Sequence, residues 1–458
     1  MRNLRRWVRG GWLVLLSAIL LSGCTLGGGK QTEEWGEEET ATIKVMYYDE
    51  QSFFQTYGNL FYAKYPNINL EVVSTQEIYK PDTDYREEFR KFIEEKQPDI
   101  LMLSADEYEK YAAEGYLTDL DSLIKQSNFD LDGILPGVID YLKSRGDGKL
   151  YGMSPTFNGQ ALFYNKNLFQ QVGVPLPRDQ MSWQEVFDLA GRFSGTNEDG
   201  QKIYGLSLGN YTTPDYAIRM VGETMRQTYV NPDSMAVTVN TDSWRQIFQM
   251  VLDAYQSGAL HQEEMESGPR SFYTMEDYFK EQVFIGGRAA MSVDYFYALG
   301  NLQRAKDVLQ DKIPDWGIVT VPVDPSNPDS SSFFSLNQIF AINAKTSNPR
   351  AAWEFIKYLS GDEYARVISR SLGNNGLPVR TEYIKDPEDR NIQAFYKLKP
   401  EETSLYSNYD KLPAAFLSSL NQMIREELEL VMKNEKSVDE ALNDIQEKGQ
   451  AELNQAKE

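Results

Sequence analysis

One cysteine and one histidine stand in a chain of 458 residues, and most catalytic constellations are lost with them. A single thiol cannot close an internal disulfide, so the usual staple of an exported protein is excluded. A Ser-His-Asp or Cys-His pair would have to use His261, which follows Gly258-Ala259-Leu260 and reads as an ordinary loop or surface residue. HExxH is missing, as are the Cys and His ligands of a structural zinc site. Asn128 to Gly133 begins like a calcium loop, but position 12 is Ile139 where a bidentate Glu is needed. Gly146-Asp147-Gly148 reads as a turn, one residue off dinucleotide-binding spacing. Positive charge is scarce too. Against 68 acidic residues there are 46 basic ones, a formal charge of −22, which repels nucleic acid. Beyond Leu21 no apolar run approaches the ~20 residues that span a bilayer.

What is present begins at the N-terminus. Arg2, Arg5, Arg6 and Arg9 precede the apolar run Trp12 to Leu21, and the small residues Ser22 and Gly23 stand just before Cys24. This is the layout of a secretory signal, 1–23, too short for a comfortable membrane span. Leu21-Ser22-Gly23-Cys24 resembles the bacterial lipobox, in which cleavage leaves the cysteine as a lipid-modified N-terminus. Residues 24–41 then read as a leash, because Gly27-Gly28-Gly29 is flexible and Glu33, Glu34, Glu37, Glu38 and Glu39 repel one another. The expected location is the extracellular face of the membrane, held there by lipid.

Order starts at Thr42 to Tyr48, an alternating run that predicts a strand. A helix is predicted from Ser52 to Tyr65, stopped by Pro66, then a strand at Ile68 to Val73. A helix over Asp84 to Glu95 and a short buried strand at Ile100 to Leu103 follow. This alternation implies parallel strands with right-handed crossovers, and ligands in such sheets bind beyond the strands' carboxyl ends. Ser182-Trp183-Gln184-Glu185 and Ser437-Val438-Asp439-Glu440 are capping boxes that open later helices.

Ten short stretches then fall in one order. They include Phe61 to Ile68, Pro98-Asp99-Ile100, Gly115 to Leu120, Gly148 to Gly152, Leu162-Phe163-Tyr164-Asn165-Lys166, Gly286 to Met291, Trp316-Gly317-Ile318, Ala352 to Ile356 and Leu377 to Arg380. In this series the chain resembles the family 1 extracellular solute-binding proteins, the maltose-binding-protein-like receptors of ABC importers. The resemblance implies an α/β, bilobal periplasmic-binding-protein-like fold: two α/β lobes, three crossover segments and a ligand cleft between the lobes. By analogy the crossings fall near Pro155 to Gln160, near Trp316 and near Glu363 to Leu372. The lobes would then be 42–157 with 318–363, and 158–317 with 364–458. Tyr164, Trp183 and Trp353 are expected to pack, and Arg380 to brace a loop.

The resemblance carries no universal binding motif, so ligand residues are argued from position and chemistry. Sugars offer an apolar ring face and many hydroxyls, which suit aromatic platforms beside Asp, Glu, Asn and Arg. Tyr48, Asp49 and Glu50 follow the first strand, and Ser104 and Asp106 the third. Asn158 and Gln160 sit at the first crossing. Asp294, Tyr295 and Tyr297 follow the Gly287 to Met291 stretch. Phe333, Phe334 and Asn337 occupy the loop before the strand Ile339 to Ile342. The expectation is a monomeric, lipid-anchored receptor that captures a carbohydrate and delivers it to an ABC importer permease, with no catalytic residue, metal or cofactor and no nucleic-acid partner. A secreted glycan hydrolase using two carboxylates, and a solute-sensing partner of a membrane kinase, are the alternatives.

Overall fold

The computed structural model describes residues 35–36, 38–78, 85–197, 199–262, 274–336, 338–371, 376–401 and 408–456. The signal, Cys24 and Asn337 lie outside the described residues. In chain order the strands are β1 (Ala41–Tyr47), β2 (Ile68–Ser74), β3 (Ile100–Leu103), β4 (Gly152–Met153), β5 (Thr156–Phe157), β6 (Gln160–Asn165) and β7 (Tyr204–Ser207). They continue with β8 (Val230–Asn231), β9 (Ala236–Val237), β10 (Ala289–Tyr295), β11 (Trp316–Thr320), β12 (Ser330–Ser331), β13 (Ile339–Ile342), β14 (Leu377–Pro378) and β15 (Lys399–Pro400).

The expected opening forms. β1 and β2 pair in parallel from Ala41 opposite Ile68 to Tyr47 opposite Ser74, and β3 lies parallel on the other side of β1. The connecting helical run from Glu50 to Lys64 contains one π-helical turn, Phe54–Gly58, and stops before Pro66. Only glycine fits at Gly58, where a Cβ would lie 2.4 Å from the Phe54 ring. The helix Tyr85–Lys96 buries Phe89, Phe92 and Ile93, spaced three and four apart along one face. The finished sheet has the order β2-β1-β3-β13-β4, with β13 antiparallel to both of its neighbours.

A second sheet has the order β11-β6-β10-β7. β6 runs antiparallel to β10 and β11, and β10 parallel to β7. Side-chain alternation gives it two buried faces. Ala161, Phe163 and Ile318 join the apolar cluster that continues into the first lobe. Leu162, Val293 and Val319 join a second cluster, which the C-terminal helices Ala414–Met432 and Val438–Gln455 cover. Both predicted capping boxes are formed, at Ser182 with Glu185 and at Ser437 with Glu440. Trp183 and Trp353 pack as expected, each with its indole N–H on a hydroxyl, Thr224 at 2.8 Å and Ser127 at 3.1 Å.

Three expectations need correction. The return to the first lobe does not occur near Trp316, because Trp316 through Thr320 pair with β6 of the second sheet; the chain passes to the first sheet between Thr320 and Ile339. The boundary at 363/364 is also too early. Tyr364 is fully buried in the first cluster, stacked on Tyr57 at 5.9 Å, so the helix Asp362–Ile368 belongs with the first sheet. The leash is shorter than its composition suggests. Trp35 lies over the Arg350 guanidinium at 5.3 Å, Glu39 pairs with Arg350 at 2.8 Å, and the Asn67 amide donates to the Gly36 carbonyl at 2.9 Å.

The crossings lie side by side. β14 pairs antiparallel with β5, Leu377 opposite Phe157, and Asn158 exchanges backbone hydrogen bonds with Ser335 at 2.9 and 3.1 Å. Gly376, at φ +100°, comes so close to Thr156 that a Cβ would sit 2.7 Å from it. Arg380 braces this region as expected. Its guanidinium donates to the carbonyls of Ser360 at 2.8 Å and Asp130 at 2.7 Å, pairs with Asp130 and Asp362, and lies over Phe129. The calcium look-alike is thus a turn, with Asp130 accepting from the backbone of Asp132 and Gly133 and tied to Arg380.

Candidate ligand-binding site

Six residues, Ser154 to Gly159, separate the end of β4 from the start of β6. Fully extended, such a link spans at most ~25 Å, so it keeps one edge of each sheet beside the crossings. These are the edges at which β1, β3 and β4 end and β13 begins, and at which β10 ends and β6 begins.

On the first edge, most of the predicted residues already have partners. Asp49 is the N-cap of the helix that starts at Glu50, accepting from the Ser52 N–H at 2.8 Å, and the Ser52 hydroxyl and N–H hold its carboxyl below the usual range. Ser104 caps the helix Ala105–Ala113 in a capping box with Glu107. Asp106 pairs at 3.2 Å with the buried Arg145, which also meets Glu109 at 2.8 Å and lies over the Tyr141 ring. Glu50 and Tyr48 are exposed. Gln338, which the sequence reading passed over, bonds the hydroxyls of Tyr47 and Tyr57 from the start of β13.

Between the edges, Asn158 contributes its backbone to the crossing, and Phe334 stacks on Phe157 at 5.4 Å while meeting Tyr141 edge-on. Phe333 packs beside the second cluster.

The second edge differs. Gln160 opens β6 directly opposite Tyr295, the last residue of β10, and its amide reaches the Tyr295 hydroxyl. Gln160 is buried, and its Oε1 has no hydrogen-bond partner among the described residues. Tyr295 stacks on Tyr297 at 5.6 Å. Asp294, on the opposite face of the strand, accepts from the Tyr295 N–H at 2.8 Å and from the Tyr297 hydroxyl. Burial pushes its carboxyl up to about 6, against the pull of those two donors. Gly209 makes room for it: at φ +63°, a Cβ there would stand 3.1 Å from Asp294 Oδ2. The sequence reading missed the rest of this edge. Tyr211 stacks on Tyr216 at 4.2 Å, and Arg219 lies over Tyr216 while pairing with Glu223 at 2.7 Å. Their signal was available in Thr213-Pro214-Asp215, a helix start a short loop beyond β7 with Tyr211 before it and Tyr216 in its first turn.

Asp294 lines a cavity of about 280 Å³ roofed by the helices Met275–Glu281 and Tyr297–Leu309. Ser207, Ser292 and Asn301 add hydroxyl and amide groups, and Phe163 and Phe284 add aromatic walls. His261 is here as well, half-buried with its ring edge-on to Tyr204, so it is more than the ordinary loop residue expected. The set combines hydrogen-bonding groups of both kinds with aromatic surface, which suits holding a polyhydroxylated molecule.

Two α/β lobes on a three-strand hinge, with a polar aromatic edge beside the crossings, make a bilobal periplasmic-binding-protein-like fold, a class that binds solutes and does no chemistry on them. The family model described as bacterial extracellular solute-binding protein matches residues 41–366. The chain belongs to that family. It is 21% identical over 373 residues to an sn-glycerol-3-phosphate-binding periplasmic protein of Rhizobium meliloti, covering 78% of this chain and 81% of that one. It is 24% identical to the mannitol-binding protein of Pseudomonas aeruginosa, over 75% of this chain and 74% of the other. Among solved structures, the sugar-binding protein MalE of Xanthomonas citri superposes with a TM-score of 0.63 at 17% identity, covering 91% of this chain and 98% of that one.

Proposed function

We propose that the protein is a lipid-anchored receptor on the outer face of the cell membrane that captures a carbohydrate, an oligosaccharide or sugar derivative, and hands it as a monomer to an ABC importer permease. The observation that carries this reading is the second edge, where Asp294, Gln160, Tyr295 and Tyr297 gather beside the crossings. Family membership supports the importer role, and relatives that bind mannitol and glycerol phosphate support a polyol-like solute. A phosphate ester fits this site poorly. Recognition of phosphate calls for Arg or Lys, neither of which is among the residues lining the cavity, and Arg219 is already paired with Glu223.

The anchor reading rests on Cys24. Eleven peptide steps separate Cys24 from the docked Trp35, so the leash reaches at most ~40 Å. On closure the ligand would be desolvated between the lobes, and the equilibrium would shift only by the contacts the closed form adds.

The test is a thermal-shift series on the full chain with maltose, mannitol and sn-glycerol 3-phosphate. A true ligand at a hundredfold excess over its Kd stabilises by about 2.7 kcal/mol. Stabilisation by maltose or mannitol, with none by the phosphate ester, is expected; stabilisation by the ester alone would overturn the carbohydrate reading. Cys24→Ala should release the body from the membrane fraction, and its retention there would overturn the anchor.

A further inference from the structure

A carboxylate in a concave site is ordinary for a sugar receptor; what surrounds this one is less so. Asp294 sits on the cavity wall, and Glu281 lines the same cavity from the end of the helix Met275–Glu281. Neither Lys nor Arg is among the lining residues. Among the described residues the cation that meets Glu281 is Arg288, in a long ion pair at 3.9 Å, and the same guanidinium donates to the Glu281 carbonyl at 2.9 Å. Asp294 accepts from two neutral donors, the Tyr295 N–H and the Tyr297 hydroxyl. Its carboxyl, pushed up to about 6 by burial, is still ionised at pH 7. The other titratable groups around the cavity are His261 and Tyr278, and beside Asp294 Tyr295 and Tyr297.

An ionised, half-buried carboxylate with no cation beside it among the described residues is a costly arrangement unless a ligand supplies the charge. Glu281 adds a second carboxylate to the wall of the same cavity. An ammonium group is the complement of such a set, since it offers three donors and no acceptor. The aromatic rings of Phe163, Tyr278 and Phe284 in the cavity wall also favour a cation over a second anion. At long range the acidic chain, with its formal charge of −22, draws cations toward the cleft.

We infer that the natural solute carries a basic nitrogen, as an amino sugar or an amine-bearing saccharide does, and that Asp294 with Glu281 receives this group at the cavity. The inference rests on the carbohydrate-receptor reading and narrows its substrate class.

The experiment titrates the full chain at pH 7 by calorimetry with three probes: the disaccharide of glucosamine, its N-acetylated form and maltose. The amine-bearing disaccharide should bind at least tenfold more tightly than the other two, and Asp294→Asn should remove most of that preference. Glu281→Gln, on an exposed side chain at a helix end, gives a second variant whose folding is not at issue and should reduce the preference in part. Equal or tighter binding of the neutral sugars would overturn the inference and leave the carbohydrate receptor standing. An amine preference that survives both substitutions would overturn the assignment to this cavity. Failure of all three saccharides to bind would sink the inference together with the reading beneath it.

Discussion

The two sheet edges that the first crossing joins carry similar letters and do different work. The first offers Asp49, Ser104 and Asp106, and each is engaged locally, two as helix caps and one with the buried Arg145. The second offers Asp294, which accepts from Tyr297 and faces a cavity, and on the other face of the sheet Gln160, whose Oε1 has no donor among the described residues. Both edges carry polar residues near the ends of strands. The difference is whether hydrogen-bonding capacity remains once the local backbone has been satisfied. A strand that runs straight into a helix, as β1 and β3 do, needs a cap, and the nearest Asp or Ser supplies it. β10 enters its helix through Phe296, with no side-chain cap bond, so Asp294 is left to face the cavity.

The largest test of this contrast is Tyr297→Ala against Tyr48→Ala. Tyr297 both stacks on Tyr295 and bonds Asp294, so its loss should weaken ligand binding by roughly 1–3 kcal/mol, while melting temperature moves little. Tyr48 is 51% exposed, and its removal should leave affinity within a factor of two or so, about 0.5 kcal/mol or less. Comparable losses in calorimetry would erase the distinction between the edges.

Next in size is the pH dependence set by Asp294. Burial pushes its folded carboxyl up to about 6 from an ordinary value of 3.8, so the folded state is the tighter proton binder. The cost of holding it ionised is fully present above pH 6 and fades as pH falls toward 3.8. Ligand-free Asp294→Asn should therefore exceed wild type in stability at pH 7.5, by on the order of 2 kcal/mol, and match it near pH 4. A gain that is the same at both pH values would mean the carboxylate is not the source.

Much of the fold was legible because its signals are local. The strands Ile68–Ser74 and Ile100–Leu103, the stop at Pro66 and the capping boxes at Ser182 and Ser437 each need only a few neighbouring residues to be recognised. The second and third crossings were misplaced because their position depends on pairing. Nothing in Trp316 to Thr320 says that the partner is β6 rather than β3, and Tyr364 declares its lobe only by stacking on Tyr57. At the candidate site, Asp294, Tyr295 and Tyr297 are singled out by their place after Gly287 to Met291, and they stand at the end of β10 and the start of the helix that follows. Tyr211 and Tyr216 flank a helix start that the letters show, but their place at that edge was not legible, since it depends on the parallel pairing of β7 with β10. Ser104 was readable in the other direction. Ser104-Ala105-Asp106-Glu107 has the spacing of the two capping boxes that were recognised, and a cap was the better reading.

That cap supplies the next test. Ser104→Ala should cost about 1 kcal/mol of stability, the usual worth of a lost N-cap, with ligand affinity unchanged. Asp106→Asn should do less still. Asp106 is 82% exposed at the side chain, whereas Arg145 is 5% exposed, and after the substitution the guanidinium keeps Glu109 at 2.8 Å and the Tyr141 ring beneath it. Exposed partners of this kind contribute a few tenths of a kcal/mol, and salt screens even that. Denaturant midpoints for Asp106→Asn should therefore lie close to wild type, and calorimetry should give the same affinity. A tenfold loss of affinity with an unchanged midpoint would show that Asp106 reaches the solute from the first lobe. Arg145 would then be a positioning residue rather than a brace, and both edges, instead of one, would have to be counted as binding surface.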